Sequence, residues 1–207
     1  MKRIILSILL IIGSLNADLV DDGFKAYENG DKEKALIIWV EACNNGQVHG
    51  CNNAGISYSS GDGVIKDEEK ASILYIKACE NGIIKACLSI GDLYEDGKGI
   101  LKDLKKASIF YTKACVGGEM IGCHNIGVLY DEGNGIKKDF HKVIKYYTKA
   151  CDGGYMSSCL NLGVVYYNAE GAKQDKSKAK KLFGKMCDKG HKSGCENYKI
   201  LDEQGVS

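Results

Sequence analysis

The sequence predicts an all-α fold, an α/α superhelical solenoid of stacked helix pairs with one disulfide per repeat. Three observations carry that prediction. Ten cysteines fall at Cys43/Cys51, Cys79/Cys87, Cys115/Cys123, Cys151/Cys159 and Cys187/Cys195, each pair 8 positions apart and successive pairs 36 apart. Other columns keep the same phase: Tyr58, Tyr94, Tyr130 and Tyr166; Gly55, Gly91, Gly127 and Gly163; Trp39, Tyr75, Tyr111, Tyr147 and Phe183. Within each unit the apolar positions step by three and four, as in Ile84, Cys87, Leu88, Gly91 and Tyr94, or Leu104, Ala107, Tyr111 and Ala114. That spacing is helical, and a fixed period of this length is the mark of a stacked repeat.

Residues 1–17 read as a secretory signal. Lys2 and Arg3 give a positive start, Ile4 to Leu15 an apolar stretch, and Leu15-Asn16-Ala17 a cleavage site ending in a small residue. The stretch is too short to span a bilayer, and no later segment is apolar enough to do so. Cleavage removes two of the 28 basic residues, leaving 26 against 27 acidic ones and a net charge of −1. Arg3 is the only arginine, so residues 18–207 lack the guanidinium forks on which nucleic-acid recognition leans. Nucleic acid is therefore excluded as a partner, and no membrane span is expected after cleavage.

The mature chain, 18–207, divides by the period. A first helix pair covers about 18–46, repeats follow at about 47–82, 83–118, 119–154 and 155–190, and a capping helix closes the array at 191–204. In each full repeat the second helix opens at an aspartate suited to an N-cap: Asp67, Asp103, Asp139 or Asp175. It ends before Gly82, Gly118, Gly154 or Gly190, where a left-handed residue is wanted. Gly61-Asp62-Gly63, Gly97-Lys98-Gly99 and Gly133-Asn134-Gly135 join the helices as spacers. No Gly-x-x-x-x-Gly-Lys-Ser/Thr run makes them a phosphate cradle. The Gly91 column costs helix propensity, and its recurrence predicts close approach of a neighbouring helix backbone. The ends depart from the pattern. Tyr27 and Gly30 stand where Tyr58 and Gly61 stand later, across a shorter linker, and Lys199 and Asp202 replace the last glycine and tyrosine.

Repeat symmetry leaves two cysteine pairings. Pairing at 8 uses all ten; pairing at 28 strands Cys43 and Cys195. The first is expected: Cys43–Cys51, Cys79–Cys87, Cys115–Cys123, Cys151–Cys159 and Cys187–Cys195, in an exported chain whose compartment permits it. Cys-x7-Cys is the wrong spacing for zinc, and an even symmetric set leaves no free thiol, so no metal and no cofactor are expected.

The unit Cys87-Leu88-Ser89-Ile90-Gly91-Asp92-Leu93-Tyr94-Glu95-Asp96-Gly97, followed by Lys106-Ala107, Tyr111, Ala114-Cys115 and Gly118, resembles the Sel1-like repeat, a relative of the tetratricopeptide repeat. The 8-spaced cysteines are similar to those of secreted cysteine-rich Sel1 proteins of Helicobacter and its relatives. The resemblance covers residues 20–200. It implies a right-handed superhelix, a secreted or periplasmic location, and contact with host proteins or the cell wall. It also implies the β-lactamase label that this family carries.

Two functional expectations follow. The first is a scaffold whose concave face binds a peptide, a host or envelope protein, or a peptidoglycan fragment. Its candidate residues are the column Asn53, Ser89, Asn125, Asn161 and Asn197, with the variable neighbours Asp92, Glu95, His124, Asp131 and Tyr167. Asparagine amides there either grip a ligand or bond between repeats. The second, on family grounds, is weak β-lactam hydrolysis or penicillin binding. Ser177-Lys178-Ala179-Lys180 fits Ser-x-x-Lys, with Ser177 and Lys180 as its only catalytic candidates, and Lys192-Ser193-Gly194 fits the third motif. Ser-Asp-Asn is absent, and nothing supplies a general base beside Ser177. A structural envelope module is the third reading.

Overall fold

The computed structural model describes residues 18–171 and 173–207. The expected signal at 1–17 lies outside the described residues. Among them are eleven α-helices and no strand: α1 (Leu19–Glu28), α2 (Lys32–Asn44), α3 (Val48–Ser60), α4 (Glu68–Glu80), α5 (Ile84–Asp96), α6 (Leu104–Val116), α7 (Met120–Glu132), α8 (Phe140–Asp152), α9 (Met156–Asn168), α10 (Lys176–Cys187) and α11 (Lys192–Glu203). None is long and apolar enough to cross a membrane. The chain divides into two compact units. Unit 1 holds residues up to Leu93 with Gly97–Leu101, and unit 2 holds Tyr94–Asp96 with Lys102–Ser207. In unit 1, α1 packs on α2, α2 on α3 and α3 on α4; in unit 2 the same succession runs from α6 to α11.

The expected caps form. Asp67, Asp103, Asp139 and Asp175 accept from the backbone N–H three residues on, at 3.0, 3.0, 3.2 and 2.8 Å. The lysine that supplies this N–H also lays its ammonium over a tyrosine of the preceding helix: Lys70 over Tyr58, Lys106 over Tyr94, Lys142 over Tyr130 and Lys178 over Tyr166, 4.1–5.2 Å from the ring centres. One residue thus closes the helix start and covers the ring, a cation–π contact worth about 0.5–1 kcal/mol where exposed.

In the four full repeats the first helix is capped by a left-handed residue. Gly61, Gly97 and Gly133 have φ of 76°, 74° and 69°, whereas Ala169 takes the same place at φ 62°. A Cβ there crowds the following carbonyl. Ala169→Gly is expected to stabilise the protein by about 1 kcal/mol, seen as a higher urea midpoint with unchanged slope.

All five cysteine pairs are bonded as the spacing predicts, with Cα–Cα distances of 4.4–4.7 Å, and no cysteine is free among the described residues. Each bond ties the end of a second helix to the first turn of the next helix. Beside it the two helices nearly touch. A Cβ on Gly50 would lie 2.6 Å from that of Ala42, and one on Gly122 would lie 2.7 Å from that of Ala114. A second tie was not anticipated from the sequence. Lys77, Lys149 and Lys185 donate to the carbonyls of Cys43, Cys115 and Cys151, 34 residues earlier, at 2.9, 2.7 and 3.1 Å. Each ammonium caps the C-terminal end of the preceding second helix, where the helix dipole favours a cation.

The helical glycines approach a side chain, which corrects the expectation of a neighbouring backbone. A Cβ on Gly55 would meet the Tyr75 ring at 2.9 Å, on Gly127 the Tyr147 ring at 2.7 Å, and on Gly163 the Phe183 ring at 2.4 Å. The aromatic column lies across the bare turn of the partner helix. In the first pair Gly23 plays this part against Trp39, at 2.3 Å. That sets the register of α1: its linker is shorter, and Tyr27 occupies the place of Ser59 rather than that of Tyr58.

Candidate functional site

The aromatic column organises the interior, and its polar edge decides which asparagines can bind anything. Tyr147 is buried in unit 2. Its hydroxyl lies 3.5 Å from Asp131 Oδ2 on α7 and is hydrogen-bonded by Asn161 of α9. Burial first, then the nearby Asp131 charge, push this phenol up to about 12. Tyr75 of unit 1 is held in the same way between Ser59 and Ser89, and Tyr111 donates to Glu95 at 2.5 Å. Asp92 and Asn125 are also engaged. The candidates Ser89 and Asn161 therefore bond between helices, and Glu95 and Asp131 receive tyrosine hydroxyls.

His124 faces inward as well. Its Nδ1 lies 2.9 Å from the fully buried Ser158 hydroxyl, and its ring packs against Tyr155 and Tyr147 at 4.8 and 5.8 Å. Burial holds its pKa below the usual 6.5. The unfolded chain then takes up a proton before the folded one does, so stability falls as pH drops through 6.5 toward the depressed folded value. Urea midpoints at pH 7.5 and 5.5 are expected to separate more for the wild type than for His124→Gln. Equal separation would refute the burial account. Asp131 is shifted up by burial, so its own contribution fades as pH rises. It is common to both proteins and cancels in the comparison.

The first and last members of the column carry no hydroxyl, and there the arrangement opens. Trp39 turns its indole N–H to the Val20 carbonyl at 3.3 Å. Around it Phe24, Tyr27 and Ile56 remain 45, 38 and 50 % exposed, and with Asn53, Ser57 and Asp62 they line a cleft of about 170 Å³ in unit 1. Phe24 and Tyr27 pack on the indole at 5.4 and 5.7 Å. Asp62 closes one side, accepting from Tyr27 and Lys32 at 2.8 and 2.6 Å, and both bonds hold its carboxyl below the usual range. Unit 2 has the equivalent cleft of about 180 Å³ beside Phe183, lined by Val164, Tyr167, Asn197, Ile200 and Leu201. By register Phe24 corresponds to Val164, Tyr27 to Tyr167, Asn53 to Asn197 and Ile56 to Ile200. In the interior repeats the place of Tyr27 and Tyr167 is taken by Ser59, Glu95 and Asp131, the groups bonded to the tyrosine hydroxyls. Loss of the hydroxyl at the ends thus coincides with an apolar ring opposite, and the pair of changes leaves a cleft. Phe24, Tyr27, Trp39 and Ile56 were missed as site residues. The available signal was the loss of the hydroxyl at Trp39 and Phe183 within an otherwise tyrosine column.

The β-lactam candidates lie elsewhere. Ser177 is part-exposed in the first turn of α10. Lys180 points to the C-terminal helix, where its ammonium pairs with Asp202 at 2.9 Å and donates to the Val206 carbonyl. Its ammonium is thus engaged at the C-terminal helix and not at Ser177. Lys192, of the Lys-Ser-Gly string, faces Glu196 at 3.7 Å. Among the described residues no cluster of three or more histidines, cysteines and carboxylates is disposed to hold a metal.

Comparison with known proteins agrees with this geometry. The Sel1 repeat profile matches residues 48–83, 84–118, 121–155 and 157–191. No curated protein sequence matches the chain. Among solved structures, it is similar to c5321, a protective antigen present in uropathogenic Escherichia coli strains and displaying an SLR fold. That match has a TM-score of 0.85 at 26 % identity, over 91 % of this chain and 41 % of that one. The chain thus spans about two-fifths of that antigen's length. A Sel1 repeat protein from Oxalobacter formigenes gives a TM-score of 0.75 at 28 % identity, over 86 % of this chain and 71 % of the other. Cysteine rich protein B of Helicobacter pylori gives 0.50 at 32 % identity, over 65 and 97 %. With four matched repeats covering more than half of its length and helix pairs bonded at the repeat junctions, the chain belongs to the Sel1 repeat family.

Proposed function

We propose that the protein is an exported binding scaffold, secreted or periplasmic, whose end clefts each take an apolar side chain of a partner polypeptide. The observation that carries this reading is the unit 1 cleft, where Phe24, Tyr27 and Ile56 stay exposed around Trp39 although packing would bury them. Aromatic and aliphatic walls with a few polar groups at the edge are what a side-chain anchor needs. The five disulfides support export, since such bonds persist outside the reducing cytosol. Peptidoglycan is less favoured: a glycan would seek a polar bed, and the walls of both clefts are largely apolar.

The test is selection of a phage-displayed random peptide library on oxidised 18–207 protein. Enrichment of peptides sharing an apolar anchor is expected, with capture reduced at least about tenfold by Phe24→Ser/Ile56→Ser or by Val164→Ser/Ile200→Ser. These positions are exposed, so folding should survive. No enrichment, or enrichment indifferent to both double variants, would overturn the proposal.

A further inference from the structure

We infer that Asn53 and the acidic lip beside it set the specificity of the unit 1 cleft, which takes an apolar side chain of a partner polypeptide lying next to a cationic one. The inference rests on the binding reading above and names the ligand that this one cleft selects.

The asparagine column has one exception. In the interior, the column residue bonds to a tyrosine of the preceding second helix, as Asn161 does to Tyr147 and Ser89 to Tyr75. Fourteen residues before Asn53 stands Trp39. An indole has only a donor, and this one is already given to Val20. The Nδ2 of Asn53 is consequently sealed from solvent with no hydrogen-bond partner. A buried, unpaired N–H is destabilising, and native structures contain few of them. Asn53 forms part of the wall of the 170 Å³ cleft, so a turn of its side chain on binding would bring Nδ2 to a carbonyl of an inserted peptide.

Charge selects what lies beside that carbonyl. Phe24 and Asn53 also border a wider trough of about 600 Å³, lined by Asp18, Val20, Asp21, Gln47 and His49 among others. Asp18 accepts from the Val20 N–H as the cap of α1, whereas Asp21 is exposed, with Lys25 one turn on as its charged neighbour. The field of the unit has the same sign. The described part of unit 1 carries 8 lysines against 13 carboxylates, and unit 2 carries 18 against 14, which together make the 26 and 27 of residues 18–207. An apolar residue followed closely by lysine or arginine would fill the cleft, satisfy Asn53 and meet Asp21 in the trough.

Trp39 is the only tryptophan and forms the cleft wall, so its emission reports occupancy directly. Oxidised 18–207 protein is titrated with two synthetic peptides, acetyl-Gly-Leu-Gly-Lys-amide and acetyl-Gly-Leu-Gly-Glu-amide. The lysine peptide is expected to bind about tenfold tighter at low salt, with the advantage shrinking at about 0.5 M salt. Asp21→Asn should erase the preference while leaving dependence on leucine. Asn53→Leu should weaken the lysine peptide about tenfold yet leave the melting temperature unchanged or raised. Asn161→Leu, which unpairs Tyr147, should lower it. If Asn53→Leu melts low as Asn161→Leu does, if the two peptides bind alike, or if neither perturbs Trp39, the inference fails. The wider binding proposal then still stands wherever Phe24→Ser/Ile56→Ser abolishes capture of selected peptides.

Discussion

Tyr147→Ala is expected to cost about 3–5 kcal/mol, the range for truncating a fully buried aromatic side chain. For a chain of this length that lowers the melting temperature by roughly 6–20 °C. The size of the effect has a local reason. The ring fills the bare turn at Gly127 and touches the His124 ring, while its hydroxyl joins α7 to α9 through Asp131 and Asn161. Truncation leaves a cavity, an Asp131 without its donor and an Asn161 without its acceptor. Tyr147→Phe separates these terms. It keeps the ring and removes the bridge, so a loss of about 1 kcal/mol is expected. If the two variants were equally stable, the ring would not be the element that seats α8 on α7. A difference well above that of a single ring would mean that opening one junction unseats its neighbours, as nearest-neighbour coupling in a stacked repeat allows.

Reduction of the disulfides is the second large effect. Each bond closes a short loop, for which chain entropy assigns about 2–3 kcal/mol. Five such terms reach roughly 10–15 kcal/mol, as much as the whole net stability of an ordinary domain. With excess phosphine reductant at 25 °C the helical circular-dichroism signal is therefore expected to collapse. Cys115→Ala/Cys123→Ala should remove about one-fifth of that stabilisation and leave the protein folded. The lysine tie from Lys149 to the Cys115 carbonyl remains at that junction, so amide exchange there should accelerate without reaching the rate of the unfolded chain. A reduced protein with full helicity and an unshifted melting point would refute the claim that these bonds hold the repeats together.

Sequence and structure divide the explanation unevenly. The helix count, the Asp67-type caps, the glycine stops and the five cysteine pairs were legible because each depends on local chemistry repeated at one period. Recurrence turned weak single-residue signals into firm ones. The site was less legible. Asn53, Ser89, Asn125 and Asn161 share a column and a residue class, yet their duties differ with what stands 14 positions earlier. Asn161 meets a tyrosine hydroxyl and is bound, while Asn53 meets an indole and its Nδ2 is left without a partner. The first helix added a second difficulty, since its shorter linker moved Tyr27 into a different register from the one that alignment by identity suggested.

From the sequence alone came the class, the period, the element order and the covalent pairing, all set by contacts within a residue or two of helix ends or by strict repetition. Only the tertiary structure decided that the helical glycines receive rings, that lysines cap the preceding helices, and that the polar column is structural in the middle and open at its ends. Those outcomes depend on which side chains from three separate helices meet at one point. A single period shared by all three helices does not distinguish a tyrosine that can pair from a tryptophan or phenylalanine that cannot.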